Sequence, residues 1–277
     1  MGLKPTNQWL KAYTQLEATS NAEAFRKQQN KICEPLMGFF QNAEADIIQD
    51  YLIQNGLFVP VKNDPPYIQA WLKKRFLTIT EKLYQKFRQK WNGPDIPIFV
   101  LPSNERSLEL SKWYGGNAGL CYPDKLFLFI NSNATAKQVA AVFVHEYSHA
   151  CRLKHFPKEE QEYQLLDAII LEGIAEYAVR KLLGNAYGNQ RLEIIPPETF
   201  CSYWEDLISP HLSITRNDAI HDHIMYGGRG IPKNLGYLIG YNLIKQFIKR
   251  NTYPISKLLY LPNATFLDVI NDIRGHE

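Results

Sequence analysis

His145-Glu146-Tyr147-Ser148-His149 is the stretch on which the reading of this chain turns. The residues just before it, Val139, Ala140, Val142, Phe143 and Val144, are apolar and read as part of a buried helix. Further upstream, Thr135-Ala136-Lys137-Gln138 has the form of a capping box, in which Thr135 accepts from the third helical amide and Gln138 reaches back to the cap. The pattern predicts a helix running through about Leu153. At a separation of four residues on that helix, the imidazoles of His145 and His149 share one face, one turn apart. Such a pair suits two corners of a tetrahedral zinc site, and without a metal or hydrogen bonds their burial would be costly. Glu146, beside the first histidine, is placed to take a proton from water without ligating the ion. These residue types in this order point to hydrolysis of an amide bond with one zinc ion per chain.

A zinc ion held this way needs a third protein ligand, and two residues compete for the role. His155 reproduces the HExxHxxxxxH spacing of metzincins, and His223-Ile224-Met225-Tyr226 faintly resembles their Met-turn. That pattern requires Gly where this chain has Arg152, because the backbone must turn sharply to swing the third histidine back. Met225 also lies a whole expected helix beyond His155. The other candidate is Glu172, in Leu171-Glu172-Gly173-Ile174-Ala175-Glu176-Tyr177, on a second helix expected from about Lys158 to Leu183 and closed by Gly184. Gly173 inside that helix points to close packing, with the first histidine-bearing helix as the expected neighbour. Glu176, one turn beyond Glu172, is expected to hydrogen-bond the outer nitrogen of a zinc histidine and fix its tautomer. Glu172 is the preferred third ligand and His155 the alternative.

Leu171 to Tyr177 resembles the NEGFAEY segment of gluzincin peptidases, and His145 to Gly184 is closely similar to the YjaZ-like predicted zinc-dependent proteases. In that family an HEYxH helix precedes a Leu-Leu-Asp-x-Ile-x-x-Glu-Gly-x-Ala-Glu helix, matched here from Leu165 to Glu176. The likeness continues into Tyr226-Gly227 and Gly236-Tyr237-Leu238-Ile239-Gly240-Tyr241. It departs from the wider gluzincins at Leu171, where they have Asn, and in a slightly longer gap between His149 and Glu172. The resemblance implies a zincin-like, gluzincin-type α+β fold, zinc-dependent peptidase activity, and a peptide or protein as substrate. Tyr237-Leu238-Ile239-Gly240 is similar to the Tyr-x-x-Gly segment of the aminopeptidase branch, which implies Tyr237 as a donor to the oxyanion. His221 and His223 are further candidate donors. The non-catalytic alternative is a zinc-containing binding or chaperone-like protein; the open fourth position and the presence of Glu146 favour an enzyme.

Around this centre the chain reads as α+β. Ile96 to Leu101 and Lys125 to Ile130 are short β-branched and aromatic runs that predict strands of a small mixed sheet. Between them, Gly115-Gly116-Asn117-Ala118-Gly119 marks either an ordinary turn or an edge along which an extended peptide adds as a strand. Residues 1–95 read as a helical N-terminal region, most regular from Tyr67 to Trp91, and residues 96–277 as the zincin-like catalytic region with a helical C-terminal part. Tyr187 to Ser213 reads as irregular or only partly helical, and a last strong helix spans about Lys233 to Arg250.

At 277 residues and 45% hydrophobic composition, the chain can bury one large core or two smaller ones that share a cleft. Its 31 Lys and Arg against 28 Asp and Glu leave a net charge of +3 without any run of like charge, so nucleic acid is not an implied partner. The opening MGLKPTNQWLKAY lacks the layout of a secretory signal, and no stretch approaches the roughly 18 apolar residues of a membrane span. The expectation is a soluble, cytoplasmic protein with no membrane partner. Cys33, Cys121, Cys151 and Cys201 lie far apart, with no CxxC pair, and are expected as reduced thiols.

Overall fold

The computed structural model of the protein describes residues 1–274, which form two compact units. The first comprises residues 1–89 and 93–146, the second residues 90–92 and those from 147 onward, so boundaries fall inside two helices, Phe76–Trp91 and Ala136–His155.

The first unit is built on a sheet that, among the described residues, has four strands: β1 (Gly2–Leu3), β2 (Pro97–Pro102), β3 (Ala118–Cys121) and β4 (Leu126–Ile130). Their order is β1-β2-β4-β3; the β1, β2 and β4 neighbours are parallel, and β3 runs antiparallel to β4 with Gly119 opposite Leu128. Every residue of β2 and β4 is buried, as uninterrupted apolar runs demand of strands covered on both faces. Phe99 and Phe127 stack across the pair with ring centroids 4.7 Å apart. The strand of the Lys125 to Ile130 segment, β4, has a strand on each side, and on the side of the glycine-rich stretch the edge strand is β3.

Helices α1 (Thr6–Thr14), α2 (Asn21–Gln28), α3 (Ala45–Gln54), α4 (Pro65–Leu72), α5 (Phe76–Trp91) and α6 (Leu108–Tyr114) complete this part of the chain. The periodic run from Tyr67 to Trp91 is thus two helices. Trp71 and Phe76 would point about 140° apart on a continuous helix. A break at the exposed Lys73, Lys74 and Arg75 lets both rings enter one core, 5.2 Å apart, while the Trp71 indole donates to the Ile130 carbonyl at 2.8 Å.

α7 (Ala136–His155) starts in the first unit and continues into the second. Its capping box is formed: the Thr135 N–H donates to Gln138 Oε1 at 2.8 Å, and the Gln138 N–H donates to Thr135 Oγ1 at 3.3 Å. The second unit then adds α8 (Leu165–Leu183), α9 (Pro197–Tyr203), α10 (Ala219–Tyr226), α11 (Leu235–Arg250) and the short α12 (Ile255–Leu258), α13 (Asn263–Leu267) and α14 (Ile270–Arg274). α8 begins later than its sequence pattern predicts, because Gln164 caps it: the Gln164 N–H donates to Asp167 Oδ2 at 2.9 Å.

α8 and α11 cross backbone to backbone. A Cβ added to Gly173 would overlap the Gly240 carbonyl, and one added to Gly240 would overlap the Ile169 carbonyl oxygen. The close neighbour of Gly173 is accordingly α11 and not α7, which corrects the expectation from sequence. No disulfide joins the cysteines of the described residues, and no helix among those residues is long and apolar enough to cross a membrane.

Gly240→Ala is expected to destabilise the protein by about 1–3 kcal/mol through overpacking. Denaturant unfolding followed by circular dichroism reads this directly, and an unchanged midpoint would mean that the two backbones do not touch.

Candidate metal centre

The rotation of α7 about its axis is set by its apolar positions. Phe143, Val144, Tyr147, Ala150 and Cys151 are buried; the Phe143 ring lies 6.1 Å from that of Phe87, and Tyr147 stacks on Trp91 at 6.2 Å with an interplanar angle of 14°. With that side engaged, His145, Glu146 and His149 occupy a single turn, where Glu146 is 9% exposed and His149 6%. On α8, Glu172 approaches the second histidine, its Oε2 lying 3.6 Å from His149 Nε2. One ligand atom from each of His145, His149 and Glu172 lies within 4.8 Å of the others, and among the described residues this is the group of such side chains able to hold a metal ion. The donor set fits zinc, which takes imidazole nitrogens and a carboxylate in three positions and leaves a fourth open. Ligand atoms each about 2.1 Å from a tetrahedral ion lie roughly 3.4 Å apart, close to the His149–Glu172 separation.

Glu146 owes its place to a feature of β3. A Cβ added to Gly119 would come within 2.5 Å of Glu146 Cδ and Oε1, so the carboxylate occupies the space that a side chain on this strand would take. The sequence showed Gly119 only as part of a glycine-rich turn, and nothing in its local pattern tied it to Glu146.

His155 is not brought to the cluster. α7 stays helical through Arg152 to His155, which puts His155 ten residues and about 15 Å along the axis from His145. Its exposed ring instead meets Phe156 and Tyr260 edge-on, at 4.6 and 4.8 Å. Arg152, the residue standing where the metzincin turn needs glycine, is 5% exposed and has a definite task. Its guanidinium donates to the carbonyls of Leu259 (3.3 Å) and Leu261 (2.9 Å) and to Asn263 Oδ1 (2.5 Å). Burial lowers its pKa to about 10, against the opposing pull of Asp167.

Glu176 also departs from expectation. Its carboxylate, 3% exposed, accepts from Arg180 Nε at 2.5 Å and from the Asn189 N–H at 3.0 Å, not from a histidine of α7. Arg180 in turn donates to the carbonyls of Asn189 and Leu192, both at 2.8 Å. Glu176 thus anchors the loop after α8, an arrangement set by residues thirteen positions further on that helical spacing cannot reveal. His221 is 1% exposed with Nδ1 2.9 Å from Asp222 Oδ1, while His223 lies at the end of α10 beside Gly228; neither belongs to the metal-capable group. Tyr237, on the first turn of α11, faces the Tyr226 ring at 6.0 Å. In the sequence Tyr226 stands only in two motif-like segments, the faint Met-turn and Tyr226-Gly227, with no role of its own. Burial of its hydroxyl, and then the negative charge of Glu172, raise its pKa.

The family model described as a predicted Zn-dependent protease (DUF2268) matches residues 76–268, a span that contains His145, Glu146, His149, Glu172 and Tyr237. The chain belongs to this family. It is 35% identical over 223 residues to the uncharacterized protein YjaZ of Bacillus subtilis (strain 168), covering 80% of this chain and 85% of that one. With the uncharacterized protein YjfC of the same organism it shares 22% identity over 186 residues, 64% of this chain and 61% of the relative. No solved structure matches it. The YjaZ-like resemblance carried by His145 to Gly184 therefore extends over most of the chain, whereas α1 to α4 lie outside the family match.

If Glu176 oriented a zinc histidine, its replacement would weaken metal binding about 10–100-fold. The observed bonds predict instead that Glu176→Gln leaves zinc affinity within about twofold and lowers stability by about 1–3 kcal/mol, the value of bonds to a charged group. Zinc titration and amide hydrogen exchange in residues 185–192 check the two halves: unchanged affinity with faster exchange is expected, and the reverse would return Glu176 to the metal site.

Proposed function

We propose that the protein is a zinc-dependent peptidase of the gluzincin type, in which His145, His149 and Glu172 hold one zinc ion. The observation that carries this reading is the convergence of those ligand atoms within 4.8 Å, with Glu146 on the same helical turn. The family description agrees at the level of a zinc-dependent protease. A zinc ion held there supplies a Lewis acid that polarises a peptide carbonyl and acidifies water. Glu146 takes the proton of the attacking water and passes it to the departing amine. The Tyr237 hydroxyl donates to the carbonyl oxygen as negative charge develops on it. The substrate is a peptide or protein in extended form; β3, whose outer edge pairs with no strand among the described residues, offers backbone groups to such a chain.

The test is zinc content together with cleavage of an unbiased peptide library. Glu146→Gln is expected to keep zinc and lose activity by about 10²–10⁴-fold. Glu172→Ala is expected to lose zinc, and His155→Ala to keep both zinc and activity. Chelation should abolish cleavage, and added zinc should restore it. Loss of metal on His155→Ala but not on Glu172→Ala would sink the gluzincin assignment, and zinc binding without any cleavage would leave a metal-holding binding protein.

A further inference from the structure

The chain between α10 and α11 is folded back on itself. Gly227, Gly228, Arg229 and Gly230 in succession have φ of 97°, 128°, 51° and 85°, values that glycine takes readily and arginine does not. Gly228 and Ile231 exchange reciprocal backbone hydrogen bonds of 3.2 and 3.0 Å, and the Asn234 N–H donates to the Tyr226 carbonyl at 3.1 Å. At the start of α11, Gly236 lies so near α10 that an added Cβ would stand 3.0 Å from Met225 Cα. The end of α10 is thereby locked in register with the start of α11.

The consequence of that lock is a pair of tyrosines. The Tyr226 and Tyr237 rings lie 6.0 Å apart at an angle of 46°, and hydrogen bonding with Tyr237 partly offsets the rise in the Tyr226 pKa. Tyr226 leaves 46% of its surface exposed, so its ring is not placed there to fill a core. Its hydroxyl nonetheless sits in a protein environment with the Glu172 carboxylate as a charged neighbour. One tyrosine therefore lies against the candidate oxyanion donor on α11 and feels the charge of the candidate metal ligand on α8. A phenol on a helix surface samples several orientations, and a donor contributes most to catalysis when its direction is set in advance.

We propose that Tyr226 is a positioning residue that holds the Tyr237 hydroxyl in its working orientation, an inference that rests on the peptidase reading above. Tyr226 acts through Tyr237 and does not itself touch the reacting atoms. The locked turn from Gly227 to Asn234 is the backbone device that keeps the pair together.

Tyr226→Phe, Tyr237→Phe and the double variant decide it, using full-length zinc-loaded protein labelled with [13Cζ]tyrosine. The Tyr237 resonance, identified by its disappearance in Tyr237→Phe, is expected to shift in Tyr226→Phe while zinc content stays that of the parent. In peptide cleavage, Tyr226→Phe is expected to lower kcat about tenfold with KM within about twofold, whereas Tyr237→Phe lowers kcat about 10²-fold or more. The double variant should be no slower than Tyr237→Phe alone, because a residue acting through another adds nothing once its partner is gone. A Tyr237 resonance that does not move overturns the inference, as do losses that multiply in the double variant or an unchanged kcat in Tyr226→Phe. A parent protein that binds zinc but cleaves no peptide overturns the peptidase reading and this inference with it, whereas a working parent with an indifferent Tyr226→Phe overturns the inference alone.

Discussion

The crossing of α8 and α11 at Gly173 and Gly240 is the constraint on which the second unit depends. Packed helices usually lie about 8–10 Å apart because side chains separate them. Here each glycine removes the Cβ that would hold the backbones away, and carbonyl groups meet the opposite chain. Glu172 immediately precedes the first glycine, and Tyr237 lies about one turn before the second. The contact therefore sets where these two side chains stand relative to each other. Glycine in a helix interior costs roughly 1 kcal/mol against alanine. The packing of Ile169, Ile174, Ile239 and Leu243, all buried around the crossing helices, offsets that cost.

α7 answers a different demand, that of carrying polar groups through a buried environment. Its apolar residues set the rotation that places His145, Glu146 and His149 on one turn, and Gly119 on β3 leaves room for the Glu146 carboxylate. Three residues beyond His149, Arg152 meets the same demand with hydrogen bonds to carbonyl groups, which a buried cation needs to be tolerated. A side chain held in this way ties the segment from Leu258 to Asn263 to α7. Beyond it α7 runs straight on to His155 and does not turn that histidine back.

Much of the architecture was legible because the relevant relations are local. The capping box at Thr135, the one-turn spacing of the histidines and the buried runs of β2 and β4 each involve residues within a few positions of one another. Local pattern misleads where a residue's partner lies far along the chain. Glu176 sits one turn from Glu172, yet its hydrogen bonds go to Arg180 and Asn189. Gly173 announced a close approach but not which helix would make it. The helix expected from Tyr67 to Trp91 broke at Lys73 to Arg75 because two aromatic rings had to reach one core, a requirement of the sheet they cover. β3 was hidden because Ala118-Gly119-Leu120-Cys121 has neither strong β propensity nor alternation, and pairing with β4 makes it a strand.

What the sequence by itself determined is the identity of the metal-capable side chains on α7 and α8 and the family to which they point, because a helix converts spacing into a shared face through its own fixed pitch. Only the tertiary structure brought Glu172, and not His155, close to His145 and His149, gave Gly119, Arg152 and Glu176 their partners, and set Tyr226 beside Tyr237. Those choices depend on backbones that meet across long stretches of chain, and side-chain periodicity carries no information about which two will meet.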